Sequence, residues 1–488
     1  MDLVVALDAG TTGVRALSLD PSTRVVDVAY RELTQHYPRP GEVEHDAAEI
    51  AALAVETLVE VAALARARGD VVVALGITNQ RETVVAFDRE RPAPLAHALV
   101  WQDRRGEGRC AQLRDGGHEP LVRETTGLVL DPYFSATKMA WLLDHGVLED
   151  ATSPALATMD TWLTWWLSGH VEGGAFVTEA SNASRTLLMD LATRTWSPTM
   201  AALFGVEIDL LAPLVASAST RAHVSGAVVA ELAGVPIAGV LGDQQAALFG
   251  QACFEPGMVK ATYGTGAFVL ANAGADAPPV AEGLLSTVAW YSGADVAYAY
   301  EGSSFVAGAA VQWLRDELGF IEHAHDLEAL ATSVEGSAGV TMVPAFVGLG
   351  SPFWRGEARG SISGLSRGVG PGHVARALVE ALAYQVRAIT EAFAAGGLAL
   401  EELRADGGAA AMDLLMALQA TNSRVRVRRS AHLEATARGA ATLAGECVGL
   451  WRRGDLANAW SAQATFEPED PFFADLGYEA WRRAAERS

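Results

Sequence analysis

The sequence predicts an α/β protein of two large lobes around a cleft, and three observations carry that reading. At 488 residues the chain is too long for one hydrophobic core, and a prior of about 100–200 residues per domain, with larger α/β domains allowed, favours two. Short β-type runs alternate with helical periodicity along the chain. A pattern of strand, Gly/Thr turn and strand occurs twice, near the start and again past the middle. Half of the residues are apolar and 19% are charged, the profile of a folded globular chain.

The elements follow in order. Residues 3–6 and 14–19 read as strands on either side of Ala9-Gly10-Thr11-Thr12-Gly13. Residues 47–67 read as an amphipathic helix, and 71–77 and 83–87 as further strands. In Leu241-Gly242-Asp243-Gln244-Gln245 a helix starts with an acid in its first turn. The opening pattern then restarts: 259–263 is a strand, Gly264-Thr265-Gly266 a turn, 267–271 a strand. This weak internal repeat places a boundary close to Glu255-Pro256-Gly257 and predicts domains 1–252 and 253–488. No low-complexity linker separates them, so the lobes should abut.

Charge excludes some functions. Thirty-six basic against 59 acidic residues give a net charge of −23, whose field repels nucleic acid and anionic membranes. No nucleic-acid partner is expected, and any phosphate site must rest on local backbone N–H groups, Mg²⁺ and a few arginines. Cys110, Cys253 and Cys447 are odd in number and lack metal-ligand spacing, which suits free thiols in a reducing, cytoplasmic setting. No export signal precedes the first strand, and residues 51–65, though apolar, carry Glu56 and Glu60. Nothing approaches the ~18–20 apolar residues of a membrane helix, so no membrane insertion is expected.

The chemistry-bearing motifs begin with the two turns. A Gly/Thr turn between strands gathers N–H groups and hydroxyls at one point, and two such turns across a cleft would grip a triphosphate. Either turn alone is equally an ordinary hairpin. Asp8, at the end of the first strand, is a natural Mg²⁺ ligand beside such a turn, and Arg15 on the outgoing strand would reach the same phosphates. A Walker loop and a protein-kinase lysine are both excluded, because the only lysines are Lys138 and Lys260, in Thr-Lys-Met and Val-Lys-Ala. In Ile77-Thr78-Asn79-Gln80-Arg81-Glu82-Thr83 a donor and an acceptor for hydroxyl groups sit side by side, although a surface ion pair is the plainer reading. Val100-Trp101-Gln102-Asp103 and Asp131-Pro132-Tyr133-Phe134 put aromatics beside polar groups, as a polyol site needs and as ordinary packing also does. The carboxylate of Asp243 opens a helix, where the dipole keeps it ionised for use as a base, or simply as a cap. Asp406-Gly407-Gly408 and residues 434–441 have the look of a loop and a helix start flanking a nucleotide base.

Taken in order, these segments resemble the FGGY carbohydrate kinases, most closely their glycerol-phosphorylating members. The matching runs include residues 77–83, Val100-Trp101-Gln102, 131–135, Asn182-Ala183-Ser184-Arg185-Thr186, 242–251, 262–266 and 312–317, nearly the whole chain. The resemblance implies a two-domain ribonuclease-H-like fold of the actin and hexokinase type, with a deep interdomain cleft. It implies transfer of the γ-phosphoryl group of Mg-ATP to glycerol, with the polyol and the first phosphate turn in the first domain and the nucleotide in the second. By the same resemblance Arg81, Glu82, Tyr133 and Asp243 bind the glycerol hydroxyls, with Gln244 beside them, and Trp101 and Phe268 wall the carbon chain. Asp243 would be the general base and Asp8 would organise Mg²⁺. Thr11, Thr12 and Arg15 would meet phosphates, Thr265 and Gly266 would hold the far end of the triphosphate, and Gly308, Gln312, Gly408 and Met412 would line the nucleoside site. Family members form dimers and tetramers, so a homo-oligomer is implied.

The chain departs from the family at Ala9, where glutamine is usual, at Met412, where asparagine is common, and at Thr421, where aspartate is common. The last two predict a more apolar base side. Residues 225–236 are short and lack the Gly/Arg-rich loop by which some members bind fructose bisphosphate. Two other functions compete: an FGGY kinase of another small polyol or ketose, and a catalytically silent regulatory paralogue. Walls suited to three carbons speak against the first, and the intact Asp8, Asp243 and Thr265 against the second.

Overall fold

The computed structural model describes residues 1–293, 295–432 and 434–488. Two mixed sheets dominate it. The first runs in the order Ala218–His223, Pro236–Gly242, Val71–Asn79, Asp2–Ala9, Gly13–Leu19, Val25–Glu32. The second runs in the order Leu285–Tyr291, Val296–Ser304, Ala267–Gly274, Met258–Tyr263, Glu402–Asp406, Val427–Ser430, Ala462–Phe466.

The weak repeat in the sequence is a duplication of topology. Asp2–Ala9 pairs antiparallel with Gly13–Leu19 and parallel with Val71–Asn79, and Met258–Tyr263 pairs antiparallel with Ala267–Gly274 and parallel with Glu402–Asp406. A further parallel strand and an antiparallel edge strand follow in both sheets. Antiparallel strands continued by parallel ones, three in the first sheet and four in the second, where Leu285–Tyr291 is added at the edge, make the two-domain ribonuclease-H-like fold that the resemblance implied. The apolar period of residues 47–67 yields the helix Ala47–Ala67, capped by Asp46, which accepts from the Ala48 N–H at 2.8 Å.

Each sheet has its own core, and a third apolar cluster joins them. Its centre is the helix Ala435–Cys447, which comes from the second half of the chain yet packs on the first sheet and on the helix Asp243–Gly250. Small residues make that approach possible. A Cβ on Gly439 would stand 1.8 Å from the Ala246 carbonyl oxygen, and one on Gly76 would stand 2.2 Å from that of Ala440. The halves therefore interlock, bringing the ends of the central strands of both sheets toward one region. No helix among the described residues is long and apolar enough to cross a membrane. Cys110, Cys253 and Cys447 are free thiols.

Candidate active site

The acceptor side is built around Arg81. The pair Arg81-Glu82 follows the strand Val71–Asn79, and neither residue is at the surface: both are 2% exposed, which removes the surface ion pair as a reading. Glu82 adopts φ +59°, a left-handed conformation uncommon for a side chain with a Cβ, which the surrounding contacts must hold in place. The stem of Arg81 passes directly over Gly242, where any Cβ would meet its Cγ at 2.7 Å. Its guanidinium donates to Glu301 through both terminal nitrogens, at 2.6 and 2.9 Å. It also donates to Gln245 Oε1 at 3.2 Å and the Tyr133 hydroxyl at 3.3 Å, and its Nε lies 3.1 Å from Asp243 Oδ1. Arg185 holds Glu82 at 2.6 Å and reaches Glu301 at 3.1 Å. Burial alone would raise the Glu301 pKa, but the guanidiniums of Arg185 and Arg81 outweigh it and bring the group down to about 2.

Asp243 begins the helix Asp243–Gly250 immediately after Gly242, where its carboxylate faces free helix N–H groups. It accepts from the Gln244 N–H at 2.7 Å and from the Gln244 side-chain amide at 3.3 Å. The carbonyl of that amide accepts in turn from Lys260, whose Nζ also reaches the Phe268 carbonyl at 3.3 Å. Burial depresses the Lys260 pKa to about 8 against the pull of Asp406 and Asp243. Above this polar floor stand three rings: Trp101 meets Tyr133 edge-on at 5.6 Å and Phe268, from the second half, at 6.4 Å. The indole N–H of Trp101 donates to Thr11 Oγ1 at 2.9 Å, linking the aromatic wall to the first Gly/Thr turn.

The phosphate side is made of turns. Asp8 stands opposite Arg15 in the strand register, and burial, reinforced by Asp243 and Glu434 against the opposing pull of Arg15, pushes its carboxyl up to about 7. Gly10 N–H closes the first turn on the Gly13 carbonyl at 3.0 Å, leaving Thr12 exposed at its tip. Arg15 does not stand free: its guanidinium is paired with Glu434 from the second half and lies over the Tyr30 ring. In the second turn Thr265 and Gly266 lie against the start of the helix Gly308–Asp316, with Ala307 and Ala309 N–H both donating to the Thr265 carbonyl. A Cβ at Gly308 would be 2.6 Å from the Gly264 carbonyl oxygen. Gln312 is exposed on that helix. Gly407, at φ +89°, packs on Tyr263, and Gly408 opens the short turn Gly408–Ala411 beside it.

Met412 and Thr421 are engaged by other parts of the protein. Met412 is buried in the second core, and the Thr421 hydroxyl is taken up by the Ala417 carbonyl and the Glu469 N–H. Arg185, Glu301 and Lys260 were not foreseen as site residues. The signal was present: Glu301 and Lys260 are lone charges inside otherwise apolar strand runs, and a charge there requires a partner.

The acid Asp243 beside the fixed cation Arg81, the aromatic rings and the two Gly/Thr turns are the parts a phosphotransferase acting on a hydroxyl compound needs. The chain belongs to the FGGY family of carbohydrate kinases: the family's N-terminal domain model matches residues 3–250 and its C-terminal domain model residues 259–446. It is 49% identical to a glycerol kinase of Aromatoleum aromaticum, over 100% of this chain and 99% of that protein. It is 47% identical to a glycerol kinase of Myxococcus xanthus, over 99% of each. A crystal structure of Plasmodium falciparum glycerol kinase with ADP superposes with a TM-score of 0.93 at 30% identity, covering 100% of this chain and 98% of that one. A xylulose kinase from Rhodospirillum rubrum shares the fold at a TM-score of 0.88 and 24% identity, over 99% of this chain and 98% of that one.

Proposed function

We propose that the protein transfers the γ-phosphoryl group of Mg-ATP to a terminal hydroxyl of glycerol, giving sn-glycerol 3-phosphate and ADP. The observation that carries this reading is the setting of Asp243: a carboxylate at a helix start, 3.1 Å from Arg81, whose guanidinium also donates to Tyr133 of the ring group Trp101, Tyr133 and Phe268. Kinship with glycerol kinases at 47–49% identity over the whole chain supports the same acceptor.

In this reading Arg81 and the Tyr133 hydroxyl orient the polyol, Glu82 accepts from one of its hydroxyls, and Trp101 and Phe268 pack on its C–H face. Gln244 holds Asp243, which takes the proton of the attacking hydroxyl. The freed oxygen pair forms the bond to the γ-phosphorus, the bond to the β–γ bridging oxygen breaks, and ADP leaves with that oxygen. Thr11, Thr12 and Arg15 meet the phosphates from one side and Thr265 and Gly266 from the other, while Gly308, Gln312, Gly408 and Met412 border the nucleoside. Asp8 would hold the divalent ion of Mg-ATP: burial is the main cause of its raised pKa, and the lesser contributions of Asp243 and Glu434 put negative charge near enough to favour a cation there. Mg²⁺ supplies charge neutralisation of the β- and γ-phosphates.

Residues 1–252 and 253–488 act in this reading as the acceptor and nucleotide domains. The reading includes a cytoplasmic homo-oligomer, a dimer or tetramer, which sedimentation would resolve. The test is ADP release with Mg-ATP across glycerol, dihydroxyacetone, glyceraldehyde, xylulose, ribulose and erythritol. Glycerol should lead in kcat/KM by tenfold or more; a preference for a pentulose would replace the reading with a ketose kinase.

A further inference from the structure

Glu301 is a carboxylate in the middle of the apolar strand Val296–Ser304, wholly buried, on the second sheet. Its two oxygens accept from both terminal nitrogens of Arg81, at 2.6 and 2.9 Å, the fork-to-fork geometry that fixes a guanidinium plane. One oxygen also accepts from Arg185 at 3.1 Å, and Arg185 closes the circuit on Glu82 at 2.6 Å. Two cations and two carboxylates, each 2% exposed or less, thus balance one another between the halves.

The circuit is asymmetric in what it leaves available. Glu301 uses both of its oxygens on arginines, so it has little capacity left for a hydroxyl compound, whereas Glu82 accepts from Arg185 at Oε1 and the Nε of Arg81 lies 3.1 Å from Asp243 Oδ1. We propose that Glu301 is a positioning residue: from the second sheet it locks the plane of Arg81, and so sets the acceptor geometry contributed by the first half. Acceptor recognition then depends on both halves even though Glu301 touches no substrate. The inference rests on the reading of Arg81 as an acceptor-binding residue.

The test compares Glu301→Gln, which keeps shape and loses charge, with Glu301→Asp, which keeps charge and withdraws the carboxylate by one methylene. Both should raise the KM for glycerol at least tenfold while the KM for ATP stays within threefold, a split that general loosening of the fold would not produce. In an Arg81→Ala background, adding Glu301→Gln should change the glycerol KM less than twofold, because the group it positions is gone. A glycerol KM within twofold of wild type in both single variants, or an effect that multiplies fully in the Arg81→Ala background, would overturn the clamp. A wild type without glycerol turnover would instead overturn the functional reading on which it rests.

Discussion

The acceptor side and the phosphate side of this site are built on opposite plans. Around Arg81 the groups are buried side chains linked to one another across distant parts of the chain, with Arg81 itself bonded to Glu301, Gln245 and Tyr133. Around the Gly/Thr turns the groups are backbone amides and small residues, with Thr12 and Gln312 open to solvent and Arg15 engaged with Glu434. A buried network of charged side chains loses little freedom when a ligand arrives, even with Arg185 Nη1 left without a partner, and it discriminates by leaving a wrong ligand's partners unsatisfied. Turns of N–H groups suit phosphates of many nucleotides and leave selection to other contacts. The acceptor side should therefore carry specificity, and the phosphate side affinity that depends on Mg²⁺ and closure.

The largest effect should come from Asp243→Asn. The amide keeps the shape and cannot take the hydroxyl proton, so kcat should fall by ~10²–10⁴-fold with glycerol binding still measurable. Near-wild-type turnover in the purified variant would remove Asp243 as the base.

Arg81→Ala should come next. The structure changes what this truncation orphans: Glu82 stays paired with Arg185, and Glu301 loses its bidentate partner. Charge-assisted hydrogen bonds contribute about 1.5–3 kcal/mol, so kcat/KM for glycerol should fall tenfold or more, together with Tm. Steady-state kinetics and a thermal melt check both.

Asp8 gives the pH dependence. With a folded-state pKa of about 7 against an ordinary 3.8, the group binds its proton more tightly in the folded protein. Its stabilising contribution is complete below pH ~4 and is lost as pH rises through ~7, the opposite of a salt-bridged aspartate. Asp8→Asn should therefore raise Tm at pH 8 and leave it little changed at pH 4. In activity the sign reverses: kcat/KM for Mg-ATP should fall as pH drops from 8 to 6, while the residual activity of Asp8→Asn stays flat over that range.

The smallest effect is expected at Met412. An asparagine there would add a group able to hydrogen-bond a base, worth about 1 kcal/mol, and would also bury an amide in the second core. A modest gain in ATP over GTP preference with a lowered Tm is the expected outcome, measured by competing the two nucleotides. An unchanged ratio would place Met412 with the core alone.

What could be read beforehand follows the same division. The Gly/Thr turns, Asp8 and Asp243 were legible because local sequence dictates them: glycine spacing, a strand ending in an acid, an acid opening a helix. The duplication was legible as two copies of one strand pattern, now seen as matching sheet topologies. For Glu301 and Lys260 the sequence shows only a charge in a strand that needs a partner; those partners, like those of Arg185, lie a hundred or more residues away or across a strand pair, and no local pattern names them. The Arg15–Glu434 pair, spanning 419 positions, is a product of the interlocked helix Ala435–Cys447 and was likewise out of reach.

The contrast between a preset acceptor side and a nucleotide side awaiting its ligand is tested most directly by calorimetric titration of glycerol into the nucleotide-free protein. Saturable binding, with a Kd within threefold of the glycerol KM and lost in Arg81→Ala, is the predicted result. Absence of any binding heat until Mg²⁺ and a non-hydrolysable ATP analogue are added would contradict it.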